Sequence, residues 1–294
     1  MEFFAGLQAC GHRFVKLYGA FKLRHMIGRC YLRGNDLQYD DADMNWQTLD
    51  EPCSHLGDVT SEVMCNMGIS ATITQTEVIV GSPGSYEWQG RVSPSVCNVH
   101  VSWMNPHVLF DTERSSFNNL QRRNIYIGYS VAQTGRLLSQ EQETIVTGAP
   151  RDSKDDARGS VLLIEKRAGK LVIRQTLRGE QIGSYFGNVV ATTDLNNDGW
   201  EDLLVGAPFY FHHEEKVGGA VYIYMNTGGG FDSGSSMVLT GPAGSAFGMS
   251  VAAAGDLNQD GFQDFAVGAP FHETGTVMIW TSGSEGVSRE PSQV

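Results

Sequence analysis

Short runs of apolar residues, each bounded by turn-forming residues, recur along the chain. Clear examples are residues 160–164, 220–224 and 276–280, which read Ser-Val-Leu-Leu-Ile, Ala-Val-Tyr-Ile-Tyr and Thr-Val-Met-Ile-Trp. Runs of this length that are rich in β-branched and aromatic residues are typical of buried strands. No segment shows a convincing amphipathic-helix pattern, so the sequence predicts an all-β fold.

A short motif precedes these runs at regular intervals. A Gly-x-Pro element begins at Gly81, Gly148, Gly206 and Gly268, with spacings of 67, 58 and 62 residues. Upstream of each stands an apolar residue followed by glycine: clearly as Phe186-Gly187 and Phe247-Gly248, and more weakly as Ile127-Gly128 and Met67-Gly68. A unit of about sixty residues that is built only from strands fits a β-propeller blade with long loops.

Two stretches of the chain, 194–209 and 256–271, are near copies that share eleven of sixteen positions. Each opens with Asp-x-Asn-x-Asp-Gly-x-x-Asp, in which oxygen-bearing side chains alternate before a glycine turn. Calcium prefers six to eight hard oxygen ligands. The sequence therefore predicts two Ca²⁺ sites, whose ligands are Asp194, Asn196, Asp198, the carbonyl of Trp200 and Asp202, and likewise Asp256, Asn258, Asp260, the carbonyl of Phe262 and Asp264.

An EF-hand is the obvious alternative for these loops. That motif needs an acidic residue at its twelfth position and a following helix. Val205 and Val267 stand there instead, and a short apolar run that ends in Gly-Ala-Pro follows each loop. The loops are therefore predicted to join two strands. A solvated Asp-rich turn without metal is the remaining alternative.

Charge and cysteine content limit the function classes. The net charge is −12, with 33 acidic and 21 basic residues, and this acidic balance argues against nucleic-acid binding. No run reaches the roughly 18 apolar residues that a membrane span needs. Of the five cysteines, we expect the pairs Cys10–Cys30 and Cys53–Cys65, with Cys97 left over, in an extracellular setting. Cysteine counting alone does not fix this connectivity, and free intracellular thiols are the alternative.

In combination, these motifs resemble the FG-GAP repeats of integrin alpha subunits. The resemblance extends to Gln8-Ala-Cys-Gly-His-Arg13, to Gly28-Arg-Cys-Tyr31 and to Arg33-Gly-Asn-Asp-Leu37. These segments, together with 81–90 and 206–220, are most similar to the laminin-binding group, with the alpha-three type nearest. The N-terminal residues do not form a signal peptide, so the chain is expected to be a piece of a longer receptor.

The resemblance implies a seven-bladed β-propeller, here partial. The chain, 1–294, is expected to hold the cysteine-loop blade 2 at 8–66, blade 3 and a variable connection at 67–123, blade 4 at 124–182, and the calcium blades 5 and 6 at 183–243 and 244–294. Residues 91–123, which include Cys97, depart from the family pattern.

The resemblance also implies a function, which is that of a non-enzymatic cell-adhesion receptor subunit. Such a chain would be the extracellular part of a single-pass membrane protein, pair with an integrin beta subunit, bind laminin-type matrix, and use Ca²⁺ structurally. Tyr129, Tyr185, Phe186 and Phe247 are candidates to grip a basic side chain of the beta subunit, with core packing as the alternative. Loop residues Tyr86, Trp88 and Tyr210, flanked by Phe209 and Phe211, are candidates for partner contact.

Two other classes of protein carry comparable repeats. One is a secreted enzyme such as a glycosylphosphatidylinositol-specific phospholipase D, and the other is a calcium-stabilised, lectin-like binding protein. The absence of a His/Asp zinc cluster from the sequence argues against the enzyme, and the cysteine loops argue against the lectin.

Overall fold

The computed structural model describes residues 7–33, 47–49, 53, 63–74, 77–96, 124–152, 156–167, 170–232, 234, 237–284 and 286–294. The chain forms two compact units, 1–131 and 132–294. Strands dominate the described residues, as the sequence predicts. The single helical element among them is the four-residue turn α1, Ser85–Trp88, in which Tyr86 and Glu87 have left-handed backbone angles.

The first unit contains two three-stranded antiparallel sheets and a separate hairpin. Strands β1 (Leu7–Gly11), β4 (Arg29–Arg33) and β5 (Gln47–Leu49) form one sheet in the order β1-β4-β5, and β2 (Val15–Tyr18) pairs with β3 (Leu23–Met26). Strands β6 (Ser70–Ile73), β7 (Glu77–Gly81) and β8 (Val92–Val96) form the second sheet in sequence order, with α1 between β7 and β8.

Three further antiparallel sheets follow, and each is built from consecutive strands. The first contains β9 (Ser130–Thr134), β10 (Thr144–Ala149), β11 (Ser160–Arg167) and β12 (Lys170–Arg178). The second contains β13 (Val189–Thr193), β14 (Asp202–His212), β15 (Val217–Tyr224) and β16 (Met237–Pro242). The third contains β17 (Ser250–Gly255), β18 (Asp264–Ala269) and β19 (Thr276–Trp280).

The middle strands are apolar on both faces because adjacent sheets within the second unit pack against one another. Along β14, Leu203 and Val205 belong to the core shared with the preceding sheet, whereas Leu204 belongs to the core shared with the following sheet. Along β15, Tyr222 and Ile223 divide between the two cores in the same way. The two-residue periodicity of a strand therefore explains why these runs are continuously apolar rather than alternating.

A glycine at or near the start of a strand makes a parallel bridge to the next repeat. The four bridges are Gly28–Met67, Gly90–Ile127, Gly159–Phe186 and Gly219–Phe247. All four glycines have positive φ angles, between 77° and 98°. A Cβ on any of them would collide with the carbonyl oxygen of its partner residue. The weak sequence matches Met67-Gly68 and Ile127-Gly128 therefore occupy the same structural position as the two clear ones.

The Phe-Gly part and the Gly-x-Pro part of the sequence motif are joined by a hydrogen bond in each of the two sheets that carry an acidic loop. The amide of Gly187 donates to the carbonyl of Gly206 at 3.1 Å, and Gly248 donates to Gly268 at the same distance. A Cβ on Gly206 would in turn collide with the carbonyl oxygen of Gly248 in the following repeat. The motif thus joins the first two strands of one sheet and brings that sheet against the next.

Substitution at the bridging glycine Gly219 should destabilise the chain strongly. We expect Gly219→Ala to lower the free energy of unfolding by more than the about 1–2 kcal/mol that left-handed strain costs, because the added methyl group meets the backbone of Phe247. Gly244 is the matched control, since it also has a positive φ (73°) but faces open space. Equal losses for Gly219→Ala and Gly244→Ala in denaturant unfolding would contradict this account.

Candidate calcium loops and interaction face

The two acidic loops connect the first and second strands of their sheets, β13 to β14 and β17 to β18. This placement agrees with the predicted strand–loop–strand context and differs from the helix–loop–helix context of an EF-hand. Asp202 and Asp264 are the first residues of β14 and β18, and both are fully buried.

The first aspartate of each loop shapes the turn. Asp194 accepts hydrogen bonds from the amide of Asp198 at 3.1 Å and from the amide of Gly199 at 2.8 Å. In the second loop, Asp256 accepts from the amides of Asp260 and Gly261 at 3.1 and 2.9 Å. The duplicated sequence therefore folds into a duplicated hydrogen-bond pattern, which requires an acceptor at the first position.

The last aspartate ties each loop to its sheet. Asp202 accepts from the amide of Leu195 at 2.9 Å and from the amide of Asn226, after the third strand, at 2.7 Å. Burial, together with the nearby carboxylates of Asp198 and Asp194, raises the pKa of Asp202 to about 6, against the lowering effect of these two donors. The site therefore concentrates negative charge that a bound cation would offset.

The donor chemistry of the loops fits a hard divalent cation. The carboxylate and amide oxygens lie at one end of the sheet, and a carboxylate oxygen that accepts one amide hydrogen keeps a second lone pair. However, the described residues contain no group of three or more His, Cys, Asp or Glu side chains that have already converged on a common point. The ten predicted ligands are thus in place along two loops, without a closed cage.

The structure adds a residue that sequence reasoning missed, Asn226. Its side-chain nitrogen donates to the carbonyl of Leu137, in the loop between β9 and β10, at 2.7 Å and to the carbonyl of Glu201 in the acidic loop at 2.9 Å. Its side-chain oxygen accepts from the amides of residues 228, 229 and 230. An asparagine before Thr-Gly-Gly-Gly is a recognisable turn signal, but nothing in the sequence pairs it with Leu137.

The second loop lacks this bridge. Ser282 stands at the equivalent position, and its amide still donates to Asp264 at 2.9 Å. Its hydroxyl is buried and makes no hydrogen bond. The two loops therefore match internally but differ in their connection to the surrounding sheets.

Two of the predicted partner-contact rings are buried between sheets. Phe186 and Phe247 are both 0% exposed. The Phe186 ring packs edge-on against Tyr222 at 5.1 Å, and the Phe247 ring packs against Trp280 at 5.7 Å. Both rings have the surroundings expected for core packing, the alternative to partner contact, and their role towards a beta subunit stays a prediction.

The other aromatic candidates are at least partly exposed. Tyr185 contacts the ring of Phe209 at 5.6 Å, and Phe209 and Phe211 are more than half exposed. Tyr210, between them, turns towards the buried Tyr222 at 6.4 Å. These residues lie at the end of β14 opposite to Asp202, so the exposed aromatic side chains and the acidic loop occupy opposite ends of one sheet.

The remaining candidates lie in the first unit. Tyr129 is partly exposed and stacks on Tyr126 at 6.4 Å. Tyr86 and Trp88 lie on the left-handed turn α1, where Trp88 is 36% exposed.

The structure contains the disulfides Cys10–Cys30 and Cys53–Cys65, with Cα–Cα distances of 4.0 and 6.0 Å. Cys97 and most of the divergent 91–123 segment lie outside the described residues. In the part of the chain that the structure describes, no helix is long and apolar enough to cross a membrane.

Comparison with known proteins identifies relatives along nearly the whole chain. A family model of the FG-GAP repeat matches residues 186–224 and 247–280. The chain is 45% identical over 293 residues to integrin alpha-3 of Mus musculus, 38% over 300 residues to integrin alpha-7 of Rattus norvegicus, and 36% over 300 residues to integrin alpha-6 of Gallus gallus. These alignments cover 97% of the chain but 26%, 26% and 27% of the relatives.

Consecutive antiparallel sheets linked by FG-GAP motifs define the class of FG-GAP β-propeller proteins, which confirms the predicted fold class. Within that class, the chain is similar to integrin alpha subunits along nearly its whole length, and the matches to alpha-3, alpha-6 and alpha-7 confirm the expected resemblance. It spans about a quarter of the length of the curated relatives it matches. The relatives named above are integrin alpha subunits, which agrees with the expectation of a chain that is not an enzyme.

Removing the Asn226 side chain should destabilise the fold strongly, whereas removing the hydroxyl of Ser282 should hardly change its stability. We expect Asn226→Ala to lower the free energy of unfolding by about 2 kcal/mol or more, because buried carbonyl and amide groups lose their partners. Ser282→Ala removes a hydroxyl that already lacks a partner, so its effect should stay within about 0.5 kcal/mol. Denaturant unfolding of the two variants measures both values, and a Ser282→Ala loss that matched the Asn226→Ala loss would contradict the bridging role.

Proposed function

We propose that this chain forms part of the extracellular head of a cell-surface adhesion receptor. In this proposal it pairs with an integrin beta subunit and contributes to binding laminin-type matrix. The observation that carries the proposal is the identity of 45% to an integrin alpha-3 over 97% of the chain. The two disulfides are consistent with an extracellular location.

In this function, Ca²⁺ in both loops acts structurally. Asp194, Asn196, Asp198, the Trp200 carbonyl and Asp202 would hold one ion, and the equivalent residues 256, 258, 260, 262 and 264 would hold the second. The ion would neutralise carboxylates that otherwise repel one another at the end of the sheet. The loop amides donate to the same carboxylates, so they would keep the loop in its turned conformation around the ion.

We place partner contact at the opposite end of the strands from the calcium loops. Phe209 and Phe211 are exposed there at the far end of β14, and the partly exposed Tyr185 packs against Phe209. Aromatic side chains are enriched among the residues that dominate interface energetics. Tyr210, Tyr129, Tyr86 and Trp88 are the further candidates, whereas the buried Phe186 and Phe247 would act only by supporting the surface.

Calcium should stabilise the chain through the second aspartate of each loop, Asp198 and Asp260. We expect chelation to lower the melting temperature of the wild type, and Asp198→Asn with Asp260→Asn to abolish that response. At a free calcium concentration 100 times the dissociation constant, each site would contribute about 2.7 kcal/mol. Differential scanning calorimetry with and without chelator measures the effect.

Asp232→Asn is the matched control, because Asp232 is exposed and lies outside both loops. This variant should keep the full calcium response of the wild type. A wild-type melting temperature that chelation leaves unchanged would refute the structural role of calcium.

The exposed aromatic surface should matter for partner binding rather than for folding. We expect the double variant Tyr185→Ala, Phe209→Ala, co-expressed as full-length receptor with a beta subunit, to weaken heterodimer formation or laminin binding by about tenfold or more, since interface anchors each contribute more than about 1 kcal/mol. Co-precipitation and solid-phase binding to laminin measure the two outcomes.

Val277→Ala truncates an apolar side chain that is 60% exposed but lies on strand β19, away from this surface, and should bind normally. Normal pairing and normal laminin binding by the double variant would remove these rings from the interface.

A further inference from the structure

A cleft of about 450 Å³ lies between the last two sheets of the second unit. One wall is the outermost strand of its sheet, β16, which contributes Val238 and Leu239. The other wall is β19, which contributes Met278 and Trp280. Clefts of this size hold small organic molecules, and most of their lining is apolar, with a few polar groups that fix the ligand.

The lip of the cleft, which carries Arg289 and Glu290, belongs to the segment that follows β19. Backbone hydrogen bonds tie this segment to the strand. The amide of Ser292 donates to the carbonyl of Ile279 at 2.8 Å, and the amide of Ile279 donates to the carbonyl of Gln293 at 2.9 Å. The two charged residues are therefore held at the mouth of the cleft by an ordered backbone.

Comparison with the preceding repeat explains why space remains here. Met278 pairs with Val267 across its sheet, just as Tyr222 pairs with Val205 across the sheet before it. In the preceding repeat, the ring of Tyr222 is buried and packs edge-on against Phe186 at 5.1 Å. A methionine without a ring fills less of the equivalent space, and close-packed interiors compensate poorly for lost volume.

Two hydrogen-bond donors that line the cleft lack an acceptor. The indole nitrogen of Trp280 is buried and has no partner among the described residues, and the ring is stacked on Phe265 at 5.5 Å. A buried donor without an acceptor is uncommon in native proteins and calls for a partner. Arg289 is exposed and forms no ion pair within the part of the chain that the structure describes.

We propose that this cleft binds a small carboxylic acid with an apolar chain or ring. The carboxylate would accept hydrogen bonds from the guanidinium group of Arg289 and the indole N–H of Trp280. The apolar body would lie against Val238, Leu239 and Met278. This site requires neither laminin nor a beta subunit, so it does not rest on the proposed function.

Other occupants match the cleft less well. A cationic amine would pair with Glu290, but it would leave both donors without an acceptor and would bring its charge towards Arg289. A water molecule would satisfy the Trp280 N–H but would leave the apolar walls uncovered, and ordered waters prefer sites with several polar partners. A carboxylic acid supplies an acceptor for both donors and apolar surface for both walls.

Three matched probes test the ligand class on the purified full-length receptor, co-expressed with a beta subunit. Phenylacetate, 2-phenylethanol and 2-phenylethylamine share one ring and differ in charge. Saturation-transfer difference NMR measures weak binding of each. We expect phenylacetate to bind, and the alcohol and the amine to bind about fivefold more weakly or less, because hydrogen bonds to a charged group are the stronger ones.

Substitutions in the cleft locate the site. Arg289→Gln changes an exposed side chain, so it should fold normally, weaken phenylacetate binding about fivefold and leave the alcohol unaffected. Met278→Tyr introduces the residue of the preceding repeat and should abolish binding of both probes. Glu290→Gln is the matched control at the lip and should bind phenylacetate at least as tightly as the wild type does.

Three results would overturn the inference. In the first, the wild type does not bind phenylacetate. In the second, 2-phenylethylamine binds more tightly than phenylacetate, which would assign the cleft to cations through Glu290. In the third, phenylacetate binds equally well to the wild type, to Arg289→Gln and to Met278→Tyr, which would place its binding elsewhere on the receptor.

Discussion

Close backbone contact between successive repeats is the constraint on which the rest of the structure depends. At four places a glycine with positive φ bridges to the next repeat, and a side chain there would meet a carbonyl oxygen. These contacts set how near the sheets of a unit approach one another, and so determine which side chains can fill the space between them. Tyr222 packs edge-on against Phe186 in one such space, and Trp280 packs against Phe247 in the next.

Burial and exposure divide the aromatic residues into two groups with different functions. The phenylalanine of the repeat motif lies beneath the surface and holds neighbouring sheets together. The rings of Phe209 and Phe211 extend beyond the sheet because the long strand β14 continues past the Gly-Ala-Pro motif to His212. The same strand therefore carries a buried acid at one end and exposed rings at the other, with the repeat motif between them.

Much of this organisation could be predicted from the sequence, because it depends on local pattern. The apolar runs, the glycines and the duplicated acidic loops determine strands, turns and the order of sheets. What depends on distant neighbours could not be predicted in this way. Nothing near Asn226 in the sequence indicates that its amide reaches Leu137, and nothing around Phe186 distinguishes a ring between two sheets from a ring at an open surface.

The two acidic loops are almost identical in sequence but differ in their hydrogen bonds to the preceding repeat. The Asn226 side chain connects the first loop to Leu137, whereas Ser282 makes no such hydrogen bond for the second. A cation in the first loop would act through Asp202 and Asn226 on the preceding sheet as well as on its own, whereas a cation in the second would act on its own sheet alone. Gradual depletion of calcium would then loosen this half of the molecule in stages rather than in a single step. Sequence duplication in this chain thus does not imply equivalence of response.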